Sequence, residues 1–397
     1  MNIRPFAAVR PNREDAALVA SVPYDVVDVA EAKALAGGNP MSFLHVSRPE
    51  IDLPEGTNGS SPEAYAQAKR ALDALIAAGV LVRDQEPKFY AYRQTMGSHS
   101  QTGIVATFDT KDYLSGVLKQ HEKTRKDKED DRTRHIETLA AHTGPAFLTY
   151  RDDKAINLVV ADACRREPLY DFIAPDGIGH TVWEIASASS CVADELQELF
   201  ARIPVAYIAD GHHRSAAASR YAKECGFEGE SRYFLAVAFP ASQLKILPYN
   251  RLVADLNGLS PYEFMSRVSA DFDIGRRGER NCRMYMGGRW TDISWNLPAG
   301  ADVVSSLDVS YLQDRLLAPV LGIGDPRTDK RISFMGGIRG DEALAAKVDS
   351  DEAAVAFAME PVTVEEMMAI ADAGAIMPPK STWFEPKLRS GLFVHTV

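Results

Sequence analysis

The sequence is poor in cysteine and lacks a long apolar run, and both absences restrict what the protein can be. Its four cysteines (Cys164, Cys191, Cys225 and Cys282) are scattered over 397 residues without a CxxC pair. This spacing argues against a structural zinc site and a disulfide framework. No apolar run approaches the roughly 18 residues of a spanning helix, and the N-terminus turns polar by Arg10 without a signal-peptide core. We therefore expect a soluble, cytoplasmic protein with no membrane partner.

Basic residues are outnumbered: 44 Lys and Arg stand against 55 Asp and Glu, for a net charge of −11. Nucleic-acid binding needs a basic face, so we expect no nucleic-acid partner. Local basic clusters still allow a small anionic substrate. The sequence does not fix the oligomeric state, and a homodimer is compatible with it.

Common nucleotide and hydrolase signatures are missing as well. The chain contains no GxxxxGK[ST], HExxH or GxSxG motif, and its GIGDPRTDK stretch lacks the GxGxxG spacing. Strand-like and helix-like segments alternate instead, which predicts an α/β (mixed α+β) fold with mixed sheets flanked by helices. We expect two α/β regions, residues 1–150 and 151–397, sharing one cleft.

Local patterns predict several elements of that fold. Helical spacing of Ala and Leu predicts a helix over Pro62–Ala78 that ends at Gly79. Phe89–Arg93 and Thr102–Phe108 read as paired strands around a polar GSHSQTG turn, and Leu392–His395 reads as a further strand. Val22–Val27 reads as a strand entered through a proline turn.

The stretch PVAYIADGHHRSAAA predicts a strand, a glycine turn and the start of a helix. Free N–H groups and the macrodipole at a helix start favour anions. Gly211 allows the tight turn, and the planar guanidinium of Arg214 can donate two parallel hydrogen bonds to phosphate or carboxylate oxygens. Asp210, His212 and His213 could act as base, metal ligand or hydrogen-bond donor. Helix capping alone would explain Asp210, but not two histidines and an arginine beside it.

A second candidate is the charged segment KQHEKTRKDKEDDRTRH. If the chain is extended up to Thr124, the side chains of Lys119, His121 and Lys123 point to one face. Thr124 would then cap a helix. A solvated helix face is the usual explanation of such a charge run. This run, however, follows a strand, where α/β folds place ligand groups.

In the helix expected after Thr124, basic residues share one stripe: Arg125, Lys128, Arg132 and His135. The helix has no apolar stripe before Ile136, so packing alone does not account for it.

The third candidate is MPPKSTWFEPK near the C-terminus. Its two prolines stiffen a loop that would present Lys380, Ser381 and Thr382 to an oxyanion, with Lys387 near enough in sequence to join. An exposed turn anchored by aromatic residues is the equally simple alternative.

These segments, with IRPFAAVRP, VPYDVVD and NPMSFLHVSRPE, closely resemble a bacterial and archaeal family, domain of unknown function 1015 (DUF1015), nearly end to end. The resemblance also implies that the genes of this family often lie beside serine-biosynthesis genes. The resemblance therefore implies an anionic amino-acid or phospho-acid substrate.

The ADGHHRSAA stretch is also similar to the G-x-x-R helix start of the ParB/sulfiredoxin superfamily, which includes free-serine kinases. This resemblance implies a ParB/sulfiredoxin-like element at the turn. It carries over to Gly211, His213 and Arg214, where the arginine and the helix start would hold a nucleotide's phosphates.

These observations predict a phosphotransferase, or kinase, acting on a hydroxylated acid such as serine. Arg214 and Gly211 would hold the phosphates of a nucleotide or pyrophosphate. Lys119, Lys123, Arg125 and Lys380 would neutralise the transferred group. Glu122 or Asp210 would orient or deprotonate the hydroxyl, and Mg²⁺ is the expected cofactor, with these two carboxylates as candidate ligands.

Two alternatives use the same residues. One is a metal-dependent phosphatase or hydrolase with zinc or manganese on His121, Asp210, His212 and His213. The other is a non-catalytic sensor of a nucleotide or phospho-metabolite.

Overall fold

A computed structural model describes residues 1–297 and 300–397. The chain forms two compact units: Met1–Leu244 together with Pro386–Val397, and Lys245–Glu385. This division differs from the predicted boundary at residue 150. Residues 146–150 pair in parallel with residues 236–240, so both sides of that boundary belong to one sheet.

The helices of the first unit lie between its strands. They are α1 (Ala16–Val19), α2 (Val29–Ala36), α3 (Leu44–Ser47), α4 (Pro62–Ala77), α5 (Thr110–Leu114), α6 (Lys126–Leu139), α7 (Lys154–Ala163), α8 (Cys191–Ala201) and α9 (His212–Glu224). Helix α4 confirms its prediction. Ser61 caps it by accepting from the Ala64 N–H, and Gly79 follows its end with φ of +72°.

The strands of the first unit are mostly short. They are β1 (Ile3–Arg4), β2 (Val9–Pro11), β3 (Leu81–Arg83), β4 (Lys88–Met96), β5 (His99–Asp109), β6 (Leu118–Lys119), β7 (Ala141–His142), β8 (Ala146–Tyr150), β9 (Tyr170–Ile173), β10 (Gly179–Ser187), β11 (Ala206–Asp210) and β12 (Tyr233–Pro240). The main sheet has the order β6-β11-β8-β12-β5-β4-β10-β9, with β1 added beside β5. Its β6–β11 and β8–β12 pairs are parallel and its other pairs are antiparallel, so the predicted mixed α+β class is confirmed.

The hairpin of β4 and β5 confirms the strand pair predicted around the GSHSQTG turn. Met96 faces His99 across a two-residue connection, and Gly97 there has φ of +58°. The strand predicted over Val22–Val27 is wrong. That segment is a turn leading to Asp28, whose side chain caps α2 in a capping box with Glu31, because Pro23 and the polar cap outweigh the β-branched valines.

The core of the first unit lies between the main sheet and the helices on its face. Ile156 of α7 and Leu196 and Phe200 of α8 are fully buried against it. Burial of such side chains stabilises the fold by about 1.5–3 kcal/mol each. Among the residues that the structure describes, no helix combines the length and the apolarity needed to cross a bilayer.

The second unit is built on antiparallel strands. Its elements are β13 (Lys245–Leu247), β14 (Tyr249–Val253), α10 (Pro261–Asp271), β15 (Asp273–Ile274), β16 (Arg280–Met286), β17 (Arg289–Trp295), α11 (Asp308–Leu312), β18 (Ile332–Gly336), α12 (Gly340–Asp349), β19 (Val355–Met359), α13 (Val364–Asp372) and β20 (Trp383–Glu385). Its larger sheet has the order β15-β17-β16-β19-β14-β18.

After β20 the chain returns to the first unit. There β21 (His395–Thr396) pairs with β7, and Val394 forms an isolated bridge with Val9. The strand predicted over Leu392–His395 is thus shorter and shifted. This return places the end of the chain beside elements from its beginning.

Candidate functional site

The site lies where two neighbouring parallel strands of the main sheet end. Strands β6 and β11 pair with Tyr207 opposite Lys119. His121 follows β6 two residues after Lys119, and Asp210 is the last residue of β11. The carboxyl ends of parallel strands open on the same edge of a sheet, where α/β proteins bind ligands.

Gly211 connects β11 to α9 in a left-handed conformation, with φ of +92° and ψ of +29°. The predicted order of strand, glycine turn and helix is confirmed. A Cβ at this position would meet Arg214 Nε at 3.1 Å and Ala146 Cα at 3.3 Å. The glycine is required both by its backbone angles and by the arginine side chain that lies across it.

We expect Gly211→Ala to lower the free energy of unfolding by about 1–3 kcal/mol, because alanine is strained at positive φ and its methyl group would push against Arg214. Gly116→Ala is the matched control. Gly116 has φ of +79° and no atom within 4 Å of its Cβ position, so it isolates the backbone cost of about 1 kcal/mol. Urea denaturation measures both. Equal losses in the two variants would show that Arg214 does not restrict Gly211.

The Asp210 carboxylate is the centre of a group of charged side chains, Asp210, Lys387 and Arg214, which we call the Asp210 cluster. Its Oδ1 accepts a hydrogen bond from the Gly211 N–H at 2.8 Å. Its Oδ2 lies 3.4 Å from Lys387 Nζ and 3.6 Å from Arg214 Nη2. Burial alone would raise the pKa of Asp210, but Lys387, followed by Arg214 and His212, holds it well below its usual range. Asp210 is therefore ionised between two cations.

Lys387 completes this cluster from the C-terminal segment of the first unit. Its side chain is only 12% exposed, and its carbonyl accepts a hydrogen bond from Gln94 Nε2 at 2.7 Å. The sequence analysis placed Lys387 in the third candidate segment, where it could join the oxyanion-binding residues, and did not place it beside Asp210. A separation of 177 residues from Asp210 leaves no local pattern that could have paired the two.

His121 and His212 are buried side by side, with ring centroids 4.5 Å apart and nearly perpendicular planes. Burial lowers the pKa of His121 to about 4. Burial, and next His121, hold the pKa of His212 well below its usual value. Both imidazoles are thus neutral at physiological pH. Among the described residues, His212 Nε2 is buried without a hydrogen-bond partner.

The buried histidines make a pH dependence of stability predictable. Burial lowers the pKa of His121 to about 4 and of His135, His142 and His180 to about 3 from the usual 6.5. The unfolded chain therefore binds more protons than the folded one below pH 6.5. The free energy of unfolding should fall as the pH drops from 6.5 to 4, by up to about 1.4 kcal/mol per pH unit for each histidine. Urea unfolding at several pH values measures this slope, and a flat profile would contradict the burial of neutral rings.

The HEKTR segment is only partly as predicted. Strand β6 ends at Lys119, and α6 begins at Lys126 with Arg125, not Thr124, in the capping position. The extended stretch to Thr124 and its single basic face are wrong, because β6 pairs only two residues with β11. His121 is buried, Lys119 and Glu122 are half-buried, and Lys123 is exposed.

Residues further along this segment have partners within it and in α9. The Arg125 guanidinium is 64% exposed and pairs with Asp127 at 2.8 Å. The Arg125 N–H donates to His213 Nε2 at 3.1 Å, and Thr124 Oγ1 lies 3.5 Å from Glu129 Oε2. Burial lowers the pKa of His213. The hydrogen bond between the Arg125 N–H and His213 connects the start of α6 to the start of α9.

Arg214 lies across the Gly211 turn. Its Nη1 donates to the Pro145 carbonyl at 2.5 Å, and its Nη2 lies 3.8 Å from Asp25 Oδ2. Burial alone would lower the pKa of Arg214, but Asp25 and Asp210 raise it. Asp25, in the VPYDVVD motif, was not a predicted site residue.

Lys380, Ser381 and Thr382 belong to the second unit. Ser381 Oγ donates to the Pro378 carbonyl at 2.7 Å, and Lys380 Nζ lies 5.4 Å from the centroid of the Tyr249 ring. Their role in anion binding stays a prediction.

The cluster does not fit a metal ion held by protein ligands alone. In residues 1–297 and 300–397, no group of three or more His, Cys, Asp or Glu side chains is placed to hold one. The transition-metal set of His121, Asp210, His212 and His213 is therefore not formed. Asp210 is already occupied by an N–H and two cations, surroundings that disfavour it as a Mg²⁺ ligand.

The family model described as a protein of unknown function (DUF1015) matches residues 3–310, so the chain belongs to this family. No curated protein matches the chain. Similar solved structures include a conserved hypothetical protein from Pyrococcus furiosus, with 14% identity, coverage of 74% of this chain and 95% of that one, and a TM-score of 0.36. A free serine kinase in complex with AMP has 14% identity, coverage of 73% and 91%, and a TM-score of 0.37.

Another is SbnI with a C-terminal truncation from Staphylococcus aureus, with 12% identity, coverage of 74% and 87%, and a TM-score of 0.40. Such low scores do not define an activity for this chain.

Proposed function

We propose that the protein is a small-molecule phosphotransferase. It would move a phosphoryl group from a nucleotide or a polyphosphate such as pyrophosphate to the hydroxyl of a small acid such as serine. One observation carries the proposal: the ionised Asp210 carboxylate lies against Lys387 and Arg214 beside the first turn of α9. Phosphoryl transfer depends mostly on positioning and charge neutralisation, and this cluster offers both.

The phosphates of the donor would bind at the start of α9. The first N–H groups of a helix have no partner within it and carry partial positive charge. The start of α9 (His212–Glu224) is therefore suited to binding an anion. Lys387 adds a full positive charge. Because its side chain is 12% exposed, that charge acts where water screens it less than at the surface.

The acceptor hydroxyl would donate a hydrogen bond to Asp210. As the new O–P bond forms, the donor P–O bond breaks, the hydroxyl proton passes to Asp210, and the leaving phosphate takes up the electron pair. In a loose transition state a carboxylate that orients the hydroxyl is sufficient, so a lowered pKa of Asp210 is compatible with this role. Glu122, half-buried beside His121, is the second candidate for it.

Other predicted residues of the first unit would act around this centre. Neutral His121 and His212 can donate hydrogen bonds without adding charge. Mg²⁺ would arrive with the phosphates of the donor and not in a protein cage. Lys119, Lys123 and Arg125 stay candidates for steering an anionic substrate, and Lys380, Ser381 and Thr382 stay candidates for anion binding within the second unit.

The test is ³¹P NMR of the purified protein with ATP, ADP or pyrophosphate and L-serine or another small hydroxy acid, with and without MgCl₂. The proposal predicts a phosphomonoester signal that appears only when both donor and acceptor are present. Donor hydrolysis that ignores the acceptor would identify a hydrolase. Binding of a donor that stays intact in every mixture would identify a sensor, and either result overturns the proposal.

A further inference from the structure

A cavity of about 40 Å³ lies within the first unit and shares Arg214 with the Asp210 cluster. Its lining comes from α6, from residues 141–144, from Tyr24 and Ser47, and from Ser390 of the C-terminal segment. The lining residues include Arg132 and Arg214 but no Asp or Glu. A pocket with two guanidinium groups and no carboxylate in its wall is suited to an anion.

Three polar atoms of this wall have no partner. Ser47 Oγ, His142 Nε2 and Arg214 Nε are buried and make no hydrogen bond to any described residue. Ser47 and His142 are only 5% and 6% exposed. Buried polar atoms in native proteins nearly always find a partner. Three unsatisfied atoms around one cavity therefore indicate a polar occupant.

The charge of the wall has the sign that an anion needs. Arg132 pairs with Asp131 at 2.7 Å, and its guanidinium lies 4.1 Å over the Tyr24 ring. Arg214 has carboxylates only at 3.6 and 3.8 Å, beyond hydrogen-bond distance. The Arg214 Nε group, which has no hydrogen-bond partner among the described residues, is therefore still available to donate to a closely bound anion.

The size of the cavity restricts the anion. About 40 Å³ exceeds the roughly 10–15 Å³ that one water needs, and it is too small for a nucleotide. We infer that the cavity binds the carboxylate of the acceptor, which rests on the proposed function. Arg214 lines the cavity and also pairs with Asp210, so one small molecule beside Arg214 would place its hydroxyl at Asp210 and its carboxylate against Arg132 and Arg214.

Gly144→Ala tests this by narrowing the cavity without changing its charge. The new Cβ would lie 3.4 Å from Ser390 Oγ and 3.8 Å from Arg214 Cδ, which is ordinary contact, and Gly144 does not have a positive φ. Arg132→Met removes one charge of the wall. Arg134→Met, an exposed arginine on the same helix, is the matched control.

Isothermal titration calorimetry measures the affinity for L-serine, for serinol (which replaces the carboxylate by CH₂OH) and for inorganic phosphate. It does not require turnover. We expect the wild type and Arg134→Met to prefer L-serine to serinol by tenfold or more, and Gly144→Ala and Arg132→Met to lose most of that preference. Circular dichroism checks folding, and Gly144→Ala decides the matter if Arg132→Met unfolds.

Equal affinities for L-serine and serinol in the wild type, or an unchanged preference in Gly144→Ala, would overturn the inference. Phosphate binding that Gly144→Ala removes, without a serine preference, would identify a phosphate site instead. If neither L-serine nor phosphate binds, the inference is also overturned, and ordered water is the occupant of the cavity. A serine preference in a protein that transfers no phosphoryl group would contradict the proposed function and retain the carboxylate site.

Discussion

Asp210→Asn should lower kcat for phosphoryl transfer by about 10²–10⁴-fold, the usual contribution of a positioned proton acceptor. The KM of the phosphate donor should not rise. Asparagine removes a negative charge between Lys387 and Arg214, which leaves these cations freer to attract phosphate. A loss in kcat without a loss in donor binding separates this role from simple damage to the site.

The same substitution has a consequence for stability. Because the pKa of Asp210 is lowered by its neighbours, its ionised form stabilises the fold at neutral pH, and this contribution disappears only in acid. Asp210→Asn should therefore be somewhat less stable at pH 7, and urea denaturation must confirm that it is folded in the assay. Asp194→Asn, an exposed carboxylate in α8, is the control. Full kcat in a folded Asp210→Asn would remove Asp210 from the mechanism.

Lys387→Met should lower kcat/KM by about 10²–10³-fold, the range found when one preorganised charge-stabilising group is removed. The methionine keeps most of the volume of the lysine stem and removes only the charge. Since Lys387 is the main cause that lowers the pKa of Asp210, that pKa should rise in the variant. An NMR titration of the Asp210 carboxyl measures the rise directly.

A conservative and a neutral variant complete this test. Lys387→Arg keeps the charge and should retain more activity than Lys387→Met. Lys154→Met removes an exposed lysine at the start of α7 and should have wild-type kcat/KM. Equal activities for Lys387→Met and Lys154→Met would show that Lys387 serves the fold only.

Local sequence predicted the β11–Gly211–α9 turn correctly because each part of it has a local cause. A short apolar run predicts the strand, an alanine-rich stretch predicts the helix, and the left-handed turn at Gly211 requires glycine. Helix α4 and the β4–β5 hairpin are predictable for the same reason. These elements depend on residues that lie close together in the chain.

Where tertiary pairing decides the structure, local sequence patterns predict the wrong element. Val22–Val27 has the composition of a strand but forms the turn before the Asp28 cap of α2. The β6–β11 ladder stops at Lys119, so strand pairing with β11 does not hold the following residues extended. The basic stripe expected on α6 is divided, with Arg125 and Lys128 exposed and Arg132 and His135 turned toward the cavity.

The pairing of Lys387 with Asp210 could not be predicted from one sequence. It depends on the return of the chain to the first unit after β20, where β21 pairs with β7. The contacts of Arg214 with Asp25 and with the Pro145 carbonyl also join residues that lie far apart in sequence. Such contacts are set by topology and not by local pattern.

A crystal structure of the protein with pyrophosphate or a non-hydrolysable ATP analogue would test most directly where the phosphates of the donor bind. We predict phosphate oxygens at the first turn of α9, with one within about 3 Å of Lys387 Nζ. A phosphate bound elsewhere in the protein, with water alone beside Lys387 and the start of α9, would contradict the account.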